Sequence, residues 1–422
     1  MSELESLEHA RARDRGDPLA YLRAEFARPQ HHGRDAVYLC GHSLGLQPHR
    51  SRVAVLESLD TWAARGVEGH FSGEHAWYHA DTYPEAMLAD LVGARPDEVA
   101  IANGLTVNLH LLMASFYRPS GGRTKILIEA GAFPSDRYAV TSQLDWHSLD
   151  AADHLVVVPG DEAGRVSSLA IIDAIRACGE ELALVLVGGV HYLTGEALDI
   201  AAIVSAGHAV GATVGVDLAH AAGNCQLALH DDNVDFAAWC TYKYLNAGPG
   251  AVGALFVHQR HGEDSSMVRL AGWWGNDPGT RFAMDQQVAF VAMRGAAGWK
   301  ISNPPIVSLA SVRGSLEVFA LVGMARLRER SMLLTATLAA LLDDIDGVEQ
   351  ITPHEPHRRG AMLTLRLTAP GETVVARLSA AGVVVDFRPP AIVRVAPAPL
   401  YSSYEDLWRF ATTLKTTLAE VN

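Results

Sequence analysis

The chain has 422 residues, 34 Lys and Arg against 48 Asp and Glu, and a formal net charge of −14. That acidic surplus argues against nucleic acid or an anionic membrane as the main partner. Its length exceeds what one compact core usually serves, so two domains are the default expectation.

The four cysteines (Cys40, Cys178, Cys225 and Cys240) show no CxxC spacing, which suits reduced thiols in a cytoplasmic protein better than disulfides. The opening stretch MSELESLEHARARDRGDP is charged throughout and lacks the apolar core of a signal peptide. The longest apolar run, 182–190, is far short of the roughly 20 residues needed to span a bilayer.

Residues 1–35 read as a polar, partly helical arm. VYLCGHSLGLQP (37–48) follows as a short apolar strand running into a glycine-punctuated loop. Residues 51–65 have helical spacing, with Val53, Val55, Leu56, Leu59 and Trp62 on or near one face. In GVEGHFSGEHAWYHADTY (66–83), His75 and His79 are spaced to share a metal on a helix. Ala76 stands where a zincin has glutamate, and no third ligand is visible, so the non-metal reading is preferred. His70 and Trp77 either line a pocket for an aromatic substrate or simply pack.

Thr106 is placed to open an apolar helix over 107–116, and a helix N-terminus bearing a hydroxyl is a natural phosphate seat. A plain threonine cap explains it equally well. Residues 125–129 form a strand, followed by GAFPSD, in which Phe133 could stack on a flat ring and Asp136 could accept a hydrogen bond from it. Otherwise this is a turn with an Asx cap. Strands at 155–158 and 182–190 then alternate with helices at 169–178 and 198–211. Such alternation indicates a mostly parallel sheet covered on both faces.

The densest chemistry lies in TVGVDLAHAAGNCQLALHDDNVDFAAWCTYKYLN (213–246). One apolar run stops on Asp217, with His220 three residues on. A second, 234–241, delivers Tyr242 and Lys243. If both are parallel strands of one sheet, Asp217 and Lys243 emerge at the same carboxyl edge, where open α/β sheets place ligands. An acid and an amine so placed suit pyridoxal phosphate (PLP): the lysine condenses with its aldehyde and the aspartate keeps its pyridine nitrogen protonated. Taken singly, Asp217 could cap a helix from Leu218, and Lys243 could be a strand-end lysine reaching water. Gly248, Gly250 and Gly253 satisfy GxGxxG, but they lead into a strand at 251–258 rather than from a strand into a helix, which excludes a dinucleotide site.

After ISNPPI (301–306) the character changes. A long helical stretch runs over 307–345, then strands at 362–367, 382–385 and 392–395, a helix at 373–381, and a final helix at 404–421. This is a small α+β unit with Arg394 on its last strand, either clamping a substrate carboxylate or standing as an ordinary edge-strand charge. The expected division is 1–60 as an N-terminal arm and part of the small domain, 61–304 as the large domain, and 305–422 as the small domain.

Along most of the chain, CGHSLGLQP, NGLTVNLHLLMASF, AFPSD, GVHYLTG, VDLAHAAGN, VDFAAWCTYKYLNAGPG, LAGWWG, TRF, ISNPPI and IVRVAPAPLY follow in order. With these blocks the sequence resembles the kynureninase family of PLP enzymes. The resemblance implies an aspartate-aminotransferase-like fold: a seven-stranded, mostly parallel sheet in a large PLP-binding domain, with a smaller α+β C-terminal domain. It implies Lys243 as the residue that carries PLP and Asp217 as the partner of the pyridine nitrogen. Leu105, Thr106, Tyr242, Trp273 and Asn303 match positions at the cofactor and its phosphate, some of them from a partner subunit. Phe133 and Asp136 match the ring-stacking and ring-bonding pair, and His220 a further cofactor contact.

Arg394 matches the arginine that holds the substrate α-carboxylate, and Ser43, His70, Ser302 and Asn303 match substrate positions. No metal is implied. The implied reaction is hydrolysis of the Cβ–Cγ bond of L-kynurenine or 3-hydroxy-L-kynurenine to an anthranilate and L-alanine, with Lys243 shuttling the proton and Tyr242 as acid partner. The implied setting is a cytoplasmic homodimer in tryptophan catabolism, the kynurenine pathway or NAD biosynthesis. Two departures stand out: His42 replaces the usual asparagine of CGNSLG, and Gly188 falls where some members have serine. His70, Ser302 and Asn303 look like the enzymes that prefer 3-hydroxykynurenine. Alternatives are a cysteine desulfurase or aminotransferase on the same fold, a kynureninase acting on a ring-substituted kynurenine in secondary metabolism, or a non-enzymatic relative. That last class would be expected to lose the lysine.

Overall fold

The computed structural model describes residues 6–286 and 289–421. Seven strands make the central sheet: β1 (Val99–Ile101), β2 (Lys125–Glu129), β3 (Leu155–Val158), β4 (Leu182–Gly188), β5 (Thr213–Asp217), β6 (Phe236–Trp239) and β7 (Ala254–Val257). Their spatial order is β1-β7-β6-β5-β4-β2-β3. From β6 through β3 every pairing is parallel, while β7 runs antiparallel to both β6 and β1. The sheet is therefore mostly parallel, as the alternation of elements implies.

The antiparallel β7 has a local cause. A parallel neighbour needs a long crossover, usually a helix, and the segment between β6 and β7 holds turns instead. The strand β1 is a short apolar triplet with no alternation of its own, and the sequence reading missed it. Strand β4 reads LALVLVG and is buried along nearly its whole length, as helices on both faces require. Between β5 and β6 the packing is close: a Cβ at Gly215 would sit 2.2 Å from the Phe236 ring, so this position needs glycine.

The expected helix over 307–345 is two helices, Ile306–Ala320 and Met324–Leu342, bent by 78° at the break. Gly323 takes the left-handed φ of +82° that permits the turn. Among the described residues no single helix is long and apolar enough to cross a membrane.

A second, antiparallel sheet holds β8 (Val348–Gln350), β9 (Leu363–Leu367), β10 (Asp386–Arg388) and β11 (Ile392–Val395) in the order β8-β9-β11-β10. The strand expected at 382–385 is Val383–Val384, and it joins neither sheet. It pairs in parallel with Val37–Tyr38, which fastens the N-terminal segment to the second sheet's neighbourhood. A separate apolar core gathers Val37 and Leu39 with Leu334, Leu363, Val393 and Phe410. Because β11 lies between β9 and β10, Arg394 is an interior residue, only 2% exposed, and the edge-strand reading of it is wrong.

One buried ion cluster fixes the segment that carries Ser302 and Asn303. The Lys300 ammonium lies 2.6 Å from both Asp81 and Glu85 and is 5% exposed. Removing one member of a buried cluster strands the others without a counter-charge. Lys300→Met is therefore expected to destabilise the fold by about 3 kcal/mol, read as a shift in the urea-unfolding midpoint. An unshifted midpoint would show that the cluster is not holding this segment.

Candidate active site

The carboxyl edge of the sheet gathers one pocket, lined among others by Gly104, Leu105, Thr106, Glu129, Phe133, Ser135, Asp136, Gly188, Tyr192, Asp217, His220, Tyr242 and Lys243. Its location follows from topology. The chain leaves β2 to one side for β3 and leaves β4 to the other side for β5, so the loops after β2 and β4 diverge and open a crevice. GAFPSD follows β2, and GVHY follows β4. Strand β5 pairs with β6 so that Asp217 stands opposite Ala238, which brings Lys243 to the same edge.

The Lys243 amine lies 3.1 Å from His220 Nε2 and 5.8 Å from the centre of the Phe133 ring. Burial, then the adjacent Lys243 charge, push the His220 imidazole well below its usual range, so it is neutral and can accept from the ammonium. The same pocket is lined by three carboxyls. Asp217 Oδ1 accepts the Ala219 amide at 2.7 Å, so the modest capping role is real but is followed by a turn, not a helix. Burial and then the charge of Asp217 raise the Asp136 carboxyl well above the ordinary range, and its Oδ1 has no partner.

Glu129 is the third acid. Its Oε1 accepts the Gly188 amide at 3.1 Å, its Oε2 has no partner, and burial raises it to about 7. Gly188 faces this carboxyl directly: a Cβ there would lie 3.2 Å from Glu129 Oε1. A crowded set of buried acids with unmatched oxygens is suited to a cationic ring nitrogen.

Opposite the acids, helix Leu105–Phe116 starts at the pocket with Gly104 at its cap position. Thr106 does not cap it. Its hydroxyl is 2.6 Å from that of Ser135, which places two hydroxyls beside the free amides of a helix N-terminus, a seat for a phosphate. The Tyr242 hydroxyl is pushed up to about 12, chiefly by burial and then by Cys240, so it stays protonated as an acid must.

Of the residues expected from sequence, Leu105, Thr106, Phe133, Asp136, Asp217, His220, Tyr242 and Lys243 line this pocket together. Arg394 sits immediately behind it. Its Nε donates to Asp386 at 2.7 Å and its Nη1 to the Tyr192 carbonyl at 2.6 Å, and the Tyr192 ring faces the pocket against Phe133 at 5.2 Å. The Ser43 loop packs on the lysine turn: the Gly45 amide donates to the Tyr242 carbonyl at 2.9 Å. A Cβ at Gly45 would run into the Lys243 carbonyl.

His70, Trp273, Ser302 and Asn303 are not brought to this pocket within one chain. His70 packs on Phe71 and Trp77. Phe71 and Trp273 both meet Phe282, and Gly272 abuts Ile301. These residues form a separate surface on which Phe71, Phe282, Trp273, Ser302 and Asn303 are exposed. His75 lies 3.8 Å from Glu57.

Sequence reasoning missed Glu129, Tyr192 and Asp386. The signal for Glu129 was available, since it is the polar end of an apolar strand just before GAFPSD. Asp386 carried none, because its value lies in a pairing eight residues along the chain.

Sheet order, the lysine turn and the acids at the carboxyl edge define the aspartate-aminotransferase-like fold of PLP-dependent enzymes. Solved structures of that class superpose over nearly the whole chain. A cysteine desulfurase CsdA from Escherichia coli covers 96% of this chain and 100% of its own at a TM-score of 0.77 and 16% identity. A cystine C–S lyase complexed with its product cysteine persulfide covers 90% and 97% at 0.75 and 17%.

Within that class the sequence is decisive. Kynureninase from Xanthomonas oryzae pv. oryzae is 53% identical over 416 residues, 97% of this chain and 98% of that protein. Kynureninase from Myxococcus xanthus is 50% identical over 412 residues, 96% of each. Residues 327–414 match the family described as Kynureninase C-terminal domain. The chain belongs to the kynureninase family.

The raised Glu129 carboxyl makes a signed prediction. A carboxyl that titrates near 7 folded and near 4.5 unfolded keeps a proton in the folded state that the unfolded state has already lost. Stability from this group is full below 4.5, falls as pH rises toward 7, and is flat above. The loss amounts to roughly 3 kcal/mol. Glu129→Gln should therefore gain on the wild type by that order between pH 4.5 and pH 8 in matched urea melts. Equal pH dependence in both proteins would refute it.

Proposed function

We propose that this protein is a PLP-dependent kynureninase that hydrolyses the Cβ–Cγ bond of L-kynurenine to anthranilate and L-alanine. The observation that carries this reading is 53% identity to a kynureninase over 97% of the chain, with Lys243 and the three acids lining one pocket. PLP, when bound through its aldehyde at Lys243, supplies the electron sink that this bond cleavage needs. Asp217 and Asp136 would hold the ring nitrogen's proton, Phe133 would cover the ring face, and Thr106 and Ser135 with the helix N-terminus would seat the phosphate.

The protein's own part is then proton management and positioning. Neutral His220 takes a hydrogen bond from the Lys243 ammonium, so the amine has a local partner when it gives up or accepts a proton. Tyr242 offers a hydroxyl that remains protonated. Arg394 is oriented by Asp386 and the Tyr192 carbonyl to meet the substrate carboxylate.

The surface carrying His70, Trp273, Ser302 and Asn303 supports a homodimer in which these side chains complete the partner's pocket. Polar groups there that meet a ring hydroxyl favour 3-hydroxykynurenine, since a ligand without it leaves them unpaired. The division proposed is a large domain over 61–304 and a small one over 305–422 joined by part of the N-terminal arm. The core of Val37 and Leu39 with residues 334–418 supports the small unit, while Leu309, Val312 and Leu316 pack into the core of the large one. Unpaired cysteines suit a cytoplasmic enzyme of tryptophan catabolism.

A desulfurase needs an exposed reactive thiol. Here Cys240 is buried and the other three are half-buried, and burial lifts Cys40 to about 11. Sulfide release from cysteine would favour that reading.

Purified wild type should cleave kynurenine, and Lys243→Ala should lose at least about a thousandfold in kcat. Normal turnover by that variant would end the proposal. The ratio of kcat/KM for 3-hydroxykynurenine over kynurenine should exceed about tenfold, and parity would remove the preference. Mixing inactive Lys243→Ala with inactive Asn303→Ala chains should restore about a quarter of wild-type activity through mixed dimers holding one intact site. No recovery after subunit exchange would show that each site is built from a single chain.

A further inference from the structure

His42 is the least accounted-for side chain near the pocket. It is 0% exposed, and neither ring nitrogen has a hydrogen-bond partner. A buried imidazole normally satisfies at least one nitrogen, because leaving both unmatched forfeits their hydration with nothing in return. The loop that carries it is fixed at both ends. The Cys40 backbone bridges Ala396, and Gly45 is pinned against the lysine turn. The ring is therefore held in place rather than tucked into leftover space.

Its surroundings specify the missing partner. The His42 ring centre lies 6.4 Å from that of His220, whose Nε2 contacts the Lys243 amine. On the other side a His42 nitrogen, Cys40 Sγ and an Asp386 oxygen lie within 4.8 Å of one another. Cys, His and Asp at that spacing are ligand types for a transition metal. The charges oppose a cation, however. Asp386 is already paired with Arg394 at 2.7 Å and with Arg388 at 3.0 Å, and Lys243 also acts on His42. Two arginines already face that one carboxylate and the Lys243 charge bears on His42 as well, so the surroundings of His42 favour an anion over a further cation. Burial, then the Arg394 charge, keep the imidazole neutral, leaving one N–H to donate without adding a further charge.

We propose that His42 is a substrate-positioning residue that donates a hydrogen bond to the α-carboxylate of the amino-acid substrate, between the Arg394 guanidinium and the Lys243 amine. This rests on the kynureninase reading and deepens it. The carboxylate is then held by a charged fork on one side and a neutral donor on the other. The retained amino-acid product, L-alanine, uses the same pair.

The test uses the PLP-loaded protein and calorimetric binding of L-alanine and of L-alaninamide, which keeps the amine and methyl but carries no anionic carboxylate. His42→Phe preserves a planar ring and removes both nitrogens without opening a cavity, and His42→Asn restores a donor. Affinity of His42→Phe for L-alanine should fall roughly ten- to hundredfold, affinity for L-alaninamide should stay within about threefold, and His42→Asn should recover part of the loss. PLP affinity, read by fluorescence titration of the apoprotein, should be unchanged in both variants. Unaltered L-alanine affinity in His42→Phe, or equal losses for both ligands, would overturn the proposal. A variant that loses PLP affinity would overturn it too, placing His42 among the groups that shape the cofactor cavity. Failure of wild type to cleave kynurenine is a separate outcome and tells against the functional reading alone.

Discussion

The parallel pairing of β5 with β6 is the constraint on which the rest of the site depends. It sets an acid at the end of one strand and an amine just past the end of the next, both lining one pocket. Everything else in the pocket can be understood as a response to that juxtaposition. His220 supplies a neutral acceptor for the amine, and Gly215 lets the two strands close over the Phe236 ring. Burial, with the charge of Asp217 added to it, drives the neighbouring Asp136 and Glu129 carboxyls toward neutrality. A slip of one residue in this pairing would turn Asp217 to the opposite face of the sheet.

Much of this was legible in the amino-acid order because it is written locally. An apolar run ending on a carboxylate, and another ending on Tyr-Lys, needed only the assumption of a shared sheet. Helical and strand periodicity recovered the alternation that makes the sheet mostly parallel. What escaped were features fixed by partners distant in sequence. The triplet of β1 has no pattern of its own and exists because β7 offers it an antiparallel edge. The break in the long helical stretch depends on Gly323, where propensity favoured continuation. Thr106 looked like a helix cap, and its hydroxyl instead meets Ser135. Arg394 was an edge charge or a clamp until the order of the second sheet put it in the interior.

The comparison with solved structures separates what a fold says from what a site says. A desulfurase and a C–S lyase share this architecture at 16% and 17% identity, which fixes the arrangement of strands and says little about the bond that is broken. Half the residues shared with kynureninases over nearly the full length is a constraint of another kind, because it extends to the loops that the scaffold leaves free.

The short parallel pairing of Val37–Tyr38 with Val383–Val384 has a consequence for how the two ends of the polypeptide cooperate. A few residues further on, the same segment is hydrogen-bonded through Gly45 to the turn that holds the lysine. The opening of the chain thus acts as a staple driven through both layers of the molecule, one prong in each. Its two prongs join stretches far apart along the chain, so the loop that backs the lysine turn is tethered to the neighbourhood of the second sheet as well as to the first.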